Sequence, residues 1–160
     1  MMPLITQGFD ANRIAQFADE LFDLPEAQMA KPRKEGGWSR KQILGHLIDS
    51  ASVNHQRIIE AQLTGSIYFT GYAHQQWVEL QGYQEMDWEE IVTLWCAFNM
   101  QLCAIVERIP EEAIDKMHVD HSYHETAFNE LSADEPSTLG YLIADYFEHV
   151  KYHLAQILAV

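Results

Sequence analysis

Two histidines near the C-terminal end of the sequence, His149 and His153, have the spacing of paired metal ligands on a helix. Residues four apart lie one above the other on one helical face, so both imidazoles can reach a single ion. Steps of four and three back from His153 reach His149 and Tyr146, so the pair interrupts an apolar stripe that should face the core. Buried imidazoles need partners, because an unpaired buried polar group costs about 1–3 kcal/mol. A metal ion would satisfy both rings, and hydrogen bonds to backbone or carboxylate groups are the alternative.

A third histidine, His46, falls on the predicted inward side of another helical segment. The same side is mostly polar and continues with Asp49, Ser50, Val53 and Arg57. Metal and cofactor sites in helical bundles are built on such inner faces, although a single inward histidine can equally be structural. Together His46, His149 and His153 would form a three-histidine site with an open position, which suits a catalytic divalent ion such as zinc or nickel. Water or a thiol in that position would lose its proton near neutral pH.

Several neighbouring residues have possible supporting functions. Asp49 is a candidate for orienting an imidazole N–H, as are Asp145 and Glu148, for which an ordinary surface position is an equal explanation. Arg57 is a candidate for binding an anionic group of a substrate. Aromatic residues that could line a pocket are Tyr72 and Trp77.

Two further groups of residues have no assigned function at this level. Three histidines in an acidic connection favour a solvated loop over a second metal site, and these are His118, His121 and His124. Cys96 and Cys103, seven residues apart among apolar neighbours, are typical of buried reduced thiols.

Four amphipathic helices are needed to position these residues. They are predicted over residues 10–24, 39–63, 87–109 and 137–158. Capping boxes at Ser39–Gln42 and Asp87–Glu90 mark two of the starts, and Asp10 is a plausible N-cap of the first helix. Long connections separate the helices, and no sustained strand alternation is present. The sequence therefore predicts an all-α four-helix bundle with long connections, in one domain over residues 1–160.

Composition excludes several classes of protein. A net charge of -14 disfavours nucleic acid as a partner, because binding its backbone requires a positive surface. No uninterrupted apolar run approaches about 18 residues, so no membrane span is expected. The N-terminus lacks the basic and apolar regions of a secretory signal, and the two cysteines form no disulfide framework. These features favour the cytoplasm.

Three separate blocks of this sequence resemble the DinB/YfiT-like superfamily. The first block is Gly37-Trp38-Ser39-x-x-Gln42-x-Leu44-x-His46-Leu47-x-Asp49-Ser50, followed by Asn54-x-x-Arg57. The second is Tyr72-x4-Trp77 with Leu80, and the third is Leu139 with Tyr146-x2-His149-x3-His153-x-Ala155-x-Ile157. The blocks occur in the family's order and span nearly the whole chain, and the YfiT-like metal-dependent hydrolases are especially similar.

The resemblance implies a four-helix bundle in which three histidines hold one divalent ion per chain, usually Zn²⁺ or Ni²⁺. Matched by position, the three are His46, His149 and His153, the same set that the helical spacing indicates. Members are often cytoplasmic homodimers, and some activate a low-molecular-weight thiol for transfer or isomerisation. One departure is that Ala73, followed by His74, stands where relatives often have an acid. The substrates of relatives therefore do not carry over to this chain, whereas the metal ligands are unaffected.

We therefore expect a divalent-metal-dependent enzyme that activates water or a small thiol against a small-molecule substrate, as a hydrolase or a thiol S-transferase. Tyr72, Trp77 and Tyr146 are the pocket candidates. The alternative is a non-catalytic, stress-related bundle in which the same three histidines hold a structural ion, with a closed fourth position.

Overall fold

This computed structural model describes residues 8–159, which contain eight α-helices and one 3₁₀ turn. Four long helices make the bundle: α1 (Ala11–Phe22), α3 (Arg40–Thr64), α5 (Trp88–Val106) and α8 (Leu139–Leu158). The connections contain α2 (Glu26–Met29), α4 (His74–Gln81), the 3₁₀ turn (Tyr83–Glu85), α6 (Glu111–Asp115) and α7 (Tyr123–Thr126). Between residues 8 and 159 only isolated β-bridges form, so the predicted all-α four-helix bundle is confirmed.

Two predictions involve residues at the ends of the chain. The single domain was predicted over residues 1–160, and the absence of a secretory signal was predicted from the first 13 residues. Residues 1–7 and 160 lie outside the described residues, so both predictions remain expectations.

The four long helices do not pack in chain order. Helix α1 packs mainly on α5, and α5 packs on α3, which also contacts α8. The second long helix is therefore central, with neighbours on both sides. This explains why α3 buries polar as well as apolar residues, because its polar strip faces other helices rather than solvent. Of the predicted strip, Val53 is only half-buried, and Asn54 is buried instead.

Helix α3 begins and ends as its sequence predicts. The Ser39 hydroxyl accepts a hydrogen bond from the Gln42 backbone N–H, and the Gln42 side chain accepts one from the Ser39 N–H. This reciprocal pair satisfies two donors that every helix start leaves free. At the other end, Gly65 has φ of 72°, a left-handed conformation that costs glycine little.

The capping box predicted at the start of α5 is wrong. Asp87 does occupy the N-cap, but its side chain makes no capping hydrogen bond. The Glu26 carboxylate, from α2, instead accepts from the Trp88 N–H at 2.8 Å, and it also pairs with the buried Lys41 ammonium at 2.7 Å. Lys41 lowers the pKa of Glu26, so the cap stays charged. A tertiary contact thus replaces the local one.

Helix α5 is the one helix among residues 8–159 that is long and apolar enough to cross a membrane. Core helices of soluble proteins meet the same criteria, and here Ile91, Trp95 and Leu102 are fully buried in the bundle. Its apolar character is therefore used in packing against α1 and α3.

Candidate metal centre

Helices α3 and α8 bring His46, His149 and His153 together. One ring nitrogen from each residue lies within 4.8 Å of the corresponding atoms of the other two. The Nε2 atoms of His46 and His149 are 3.1 Å apart, and the three ring centroids are separated by 4.7 to 5.1 Å. The two members on α8 are neighbours because of their spacing of four, and His46 reaches them because α3 packs on α8.

Side chains of the same two helices hold two of the rings from behind. Gln156 Oε1 lies 2.8 Å from His153 Nδ1, and an amide oxygen can only accept, so Nδ1 carries the proton. Ser50 Oγ lies 3.4 Å from His149 Nδ1. Both contacts leave Nε2 free to face the centre of the cluster, which is how outer residues orient metal-ligating histidines.

The geometry fits a divalent ion. Two tetrahedral ligands at about 2.0–2.1 Å from zinc place their nitrogens about 3.3 Å apart, close to the observed 3.1 Å. Without an ion, two acceptor lone pairs would face each other unless one Nε2 is protonated. His46 Nδ1 is buried and has no hydrogen-bond partner among the described residues. A cation held by the Nε2 atoms would remove the conflict between His46 and His149, whereas His46 Nδ1 lies on the other side of its ring and is not satisfied by that ion.

Burial keeps the three imidazoles neutral. Loss of solvent lowers the pKa of His46 to about 3, with smaller effects from His153 and His74. The pKa of His149 is also lowered to about 3, mainly by burial and then by His153. The pKa of His153 is lowered by burial as well, although its hydrogen bond to Gln156 acts in the other direction. Neutral imidazole is the form that binds a metal ion.

This predicts acid sensitivity of the metal-free protein. His46 and His149 take up protons near pH 6.5 when unfolded but only near pH 3 when folded, so the unfolded state binds more protons between these values. Stability is therefore present above about pH 6.5 and falls as the pH drops toward 3. From pH 7 to 5 we expect a loss of up to about 2 kcal/mol for each histidine. Urea unfolding at both pH values checks this.

A matched variant isolates the effect from that of other titrating groups. His46→Gln removes one of these titrations and should reduce the pH 7 to pH 5 difference by up to about 2 kcal/mol. His55→Gln, on the same helix, should leave the difference as it is in the unmodified protein. Equal differences in all three proteins would contradict the argument.

A cavity of about 480 Å³ opens beside His149. Its wall includes the sequence candidates Arg57, Tyr72 and Tyr146, together with Ser50 and Asn54. Trp77 is not in the wall, but its ring packs edge-on against Tyr72 at 5.0 Å and supports it from behind. Burial raises the pKa of Tyr72 to about 12, so its hydroxyl keeps its proton at neutral pH.

A second cavity, of about 400 Å³, lies against His153. Its wall includes Arg33, Lys34 and Trp38, and the Trp38 ring is 5.3 Å from the ring of His46. The histidine cluster thus has one cavity on the His149 side and another on the His153 side.

The expectation that Asp49 orients a metal ligand is not met. Its Oδ1 accepts hydrogen bonds from the Tyr83 hydroxyl at 2.7 Å and from Gln81 Nε2 at 3.0 Å. Its Oδ2 is buried and has no partner between residues 8 and 159, where no hydrogen bond joins Asp49 to an imidazole. Asp49 instead ties the end of α4 and the 3₁₀ turn that follows it to α3.

The two candidate carboxylates of α8 also have partners other than the histidine rings. Asp145 accepts hydrogen bonds from the backbone N–H groups of Phe128 and Asn129, both at 2.7 Å, and so fixes the loop after α7. Glu148 is exposed and pairs with Lys151 on the surface.

Sequence reasoning missed His74. This residue is the first of α4, in a segment without periodicity, and its ring lies 5.2 Å from that of His46 and 4.1 Å from that of Tyr72. It lines the cavity beside His149, and burial lowers its pKa. The available signal was its position next to Ala73, which stands where relatives often have an acid.

The histidines of the acidic connection divide into different environments. His121 is buried: its Nδ1 accepts from the Tyr123 N–H, so its Nε2 carries the proton and donates to the Glu135 carbonyl at 2.7 Å. The expectation of a solvated loop is thus wrong for His121, which is a structural residue. His118 and His124 are partly exposed, and within residues 8–159 they belong to no metal-ligand cluster. Cys103 is buried, with its pKa raised to about 12, and both cysteines are free thiols.

Comparison with known proteins places this arrangement in a family. The sequence profile of the DinB superfamily matches residues 9–157. A protein of Bacillus licheniformis, provisionally named a metal-dependent hydrolase, is 25% identical over 137 residues, which are 86% of this chain and 72% of the relative. YfiT from Bacillus subtilis, described as a probable metal-dependent hydrolase with an unusual four-helix bundle topology, matches with a TM-score of 0.73 at 20% identity. That match covers 96% of this chain and 81% of YfiT.

At 20% identity the likeness to YfiT establishes a shared four-helix bundle fold. The superfamily profile extends over nearly all of the described residues and includes the three histidines of the cluster. The resemblance found in the sequence is therefore confirmed, and the chain belongs to the DinB superfamily.

Proposed function

We propose that this protein is a metal-dependent hydrolase of small molecules, with one Zn²⁺ or Ni²⁺ held by His46, His149 and His153. The observation that carries the proposal is the convergence of three neutral imidazoles, one buried and two half-buried, beside a cavity. The names of the Bacillus relatives support it. A divalent ion with an open position lowers the pKa of a water or thiol that it binds, which supplies a nucleophile near neutral pH.

The chain's own residues prepare the site for this chemistry. Gln156 and Ser50 fix the rings of His153 and His149, so that little reorientation is needed when an ion binds. Because burial lowers the pKa of these histidines, protons do not compete with the ion for their ring nitrogens at neutral pH. The cavity beside His149 gives a small substrate room to approach the ion from that side.

The second cavity favours thiol S-transfer as the other candidate function. Transfer needs room for a thiol and an acceptor at once, and the cluster has a separate cavity on the His153 side. Arg33 and Lys34 in its wall would suit a thiol that carries negative charge.

Assembly as a cytoplasmic homodimer without nucleic acid or membrane partners remains a prediction from the sequence.

Cobalt substitution tests whether the site is open and therefore suited to catalysis. The metal-free protein would be loaded with Co²⁺, and its visible spectrum recorded with and without a small thiol. A spectrum that changes with the thiol, together with metal-dependent turnover in a panel of esters, amides and thiol acceptors, is the expected result.

The non-catalytic alternative gives the opposite pattern. A spectrum that does not respond to thiol, no turnover in any metal form and a large fall of the melting temperature on chelation would establish a closed, structural site. The enzyme proposal would then be wrong.

A further inference from the structure

The wall of the cavity beside His149 contains two buried polar groups that the fold leaves incompletely satisfied. Arg57 and Asn54 are each 7% exposed and lie three residues apart on α3, so their side chains are neighbours. Neither group is needed to hold the three histidines. Both residues line the cavity, and each has a hydrogen-bonding capacity that the described residues leave unused.

The Arg57 guanidinium has no acidic partner among residues 8–159. Its Nη2 donates to the Thr70 carbonyl at 2.8 Å, and its central carbon lies 5.6 Å from the centre of the Phe69 ring. A guanidinium has five N–H donors in a planar fork, and one neutral carbonyl leaves most of them free. A buried cation is normally paired, because removal of a charge from water is costly. An anion in the cavity would supply the missing partner.

The acidic residues near the cavity do not pair with the Arg57 guanidinium. The two oxygens of Asp145 accept hydrogen bonds from Phe128 and Asn129 in the opposite loop. Glu125 and Glu130 are exposed at the rim, where solvent screens them, and Glu125 lies 3.5 Å from His124. Among residues 8–159 Arg57 is thus left without an acidic partner, although the chain as a whole carries a net charge of -14.

Asn54 has an unused acceptor, whereas Arg57 has unused donors. Its Nδ2 donates to the Ser50 carbonyl at 2.9 Å, and because a carbonyl can only accept, the orientation of the amide is fixed. Its Oδ1 is buried and has no partner in the described chain. An acceptor in this position requires an N–H or O–H donor. Asn54 Nδ2 also lies 3.3 Å from Ser50 Oγ, which in turn contacts His149, so the acceptor is two hydrogen bonds from the histidine cluster.

We propose that this cavity binds small carboxylates that carry an N–H or O–H donor on the neighbouring atom. The carboxylate would pair with Arg57, and the donor would bind Asn54 Oδ1. N-acyl amino acids and 2-hydroxy acids both have this pattern, because the donor is attached to the carbon that bears the carboxylate. The inference deepens the proposed function, since an N-acyl group would then lie on the His149 side, where its amide bond could be hydrolysed.

Three matched probes test the two contacts on the unmodified protein. N-acetylglycine has both groups, its methyl ester lacks the carboxylate, and N-acetylsarcosine lacks the N–H. NMR titration of the labelled protein should give N-acetylglycine an affinity at least about tenfold higher than that of either analogue, as loss of a buried charged or hydrogen-bonded contact predicts. Lactate, compared with propionate, shows whether an O–H donor serves equally. Equal affinities for N-acetylglycine and its ester would overturn the proposal.

Variants assign the contacts to residues. Arg57→Met should weaken binding of N-acetylglycine at least about tenfold, and Arg57→Lys, which keeps the charge, should weaken it less. Arg13→Met, on the exposed side of α1, is the matched control and should bind as the unmodified protein does. Asn54→Leu should bind N-acetylglycine and N-acetylsarcosine equally. Unchanged affinity in both Arg57 variants would overturn the proposal.

The titrations should be repeated on metal-loaded and chelated protein, which separates this inference from the hydrolase proposal. Binding that depends on Arg57 in a protein that takes up no metal would support the cavity assignment and contradict the hydrolase. Metal-dependent hydrolysis without preference for the carboxylate would support the hydrolase and overturn the cavity assignment.

Discussion

Replacing His149 and His153 together with alanine is expected to abolish metal binding. The change leaves His46 as the single imidazole of the cluster, and one neutral ring cannot hold a divalent ion against dilution and buffer. Elemental analysis of tag-free protein should find about one ion per chain before the change and less than roughly a tenth of that after it. Any metal-dependent activity should be lost to the same extent.

Thermal unfolding gives a second measure of the same prediction. An ion at a thousand times its Kd stabilises the folded state by about 4 kcal/mol, which for a chain of this size raises Tm by roughly 8–16 °C. The unmodified protein should show this rise when metal is added, and the double variant should not. His55→Ala, on α3 outside the cluster, is the control and should keep both the ion and the rise.

Two results would contradict the prediction. Full metal content in the double variant would place the ion elsewhere in the chain. Absence of stoichiometric metal from the unmodified protein, even after reconstitution, would leave the three histidines as a hydrogen-bonded structural cluster and would remove the basis of the enzyme proposal.

The three histidines could be predicted from sequence because helical geometry fixes them. A spacing of four on α8 places His149 and His153 on one face whatever the rest of the chain does. The inward position of His46 follows from the apolar residues around it on α3. The bundle itself follows from four amphipathic segments, and the buried sides of α1 and α8 are those that the periodicity indicates.

The residues around the cluster could not be predicted in the same way. Asp49 faces inward as expected, but the Tyr83 hydroxyl, from a 3₁₀ turn 34 residues later, reaches its carboxylate. Gln156 and His74 were missed for related reasons. Contact of Gln156 with His153 depends on a rotamer, and His74 approaches His46 through the path of an irregular connection. Such long-range competition for hydrogen bonds leaves no periodic trace in the sequence.

Helix capping shows the same limit. Ser39 and Gln42 cap α3 through local contacts, which the sequence specifies. Asp87 and Glu90 have an equally favourable pattern, but Glu26 reaches the start of α5 from α2 and accepts from the Trp88 N–H in place of Asp87. A local motif thus predicts that a helix starts there, while tertiary structure decides which side chain completes it.

The second large effect is expected from Gly45→Ala, a change that would stabilise most helices. Gly45 lies in the interior of α3, where the buried Tyr83 ring packs directly on its backbone. A Cβ at this position would lie 2.1 Å from Tyr83 Cδ2 and 2.3 Å from Cγ, far inside van der Waals contact. The ring would have to move, and its hydroxyl would lose the hydrogen bond to Asp49.

The overlap and the lost hydrogen bond act in the same direction. Overpacking of a core costs about 1–3 kcal/mol, and the loss of the acceptor of the buried Tyr83 hydroxyl adds to it, so we expect a loss of about 3 kcal/mol in the free energy of unfolding. Tm should fall by roughly 6–12 °C. Gly71→Ala is the matched control, because a Cβ there meets nothing within 4 Å, and it should change stability by less than about 0.5 kcal/mol.

A double-mutant cycle identifies the Tyr83 ring as the cause. Tyr83→Ala removes the atoms that a Cβ at position 45 would meet, so alanine can then be accommodated at Gly45. The double variant should therefore be more stable than the sum of the two single changes predicts, by at least about 1 kcal/mol. Additive losses would mean that Gly45 is required for its backbone alone. A coupled result would show that the absence of a side chain at Gly45 is what allows the Tyr83 ring to pack on α3 and its hydroxyl to reach the Asp49 carboxylate.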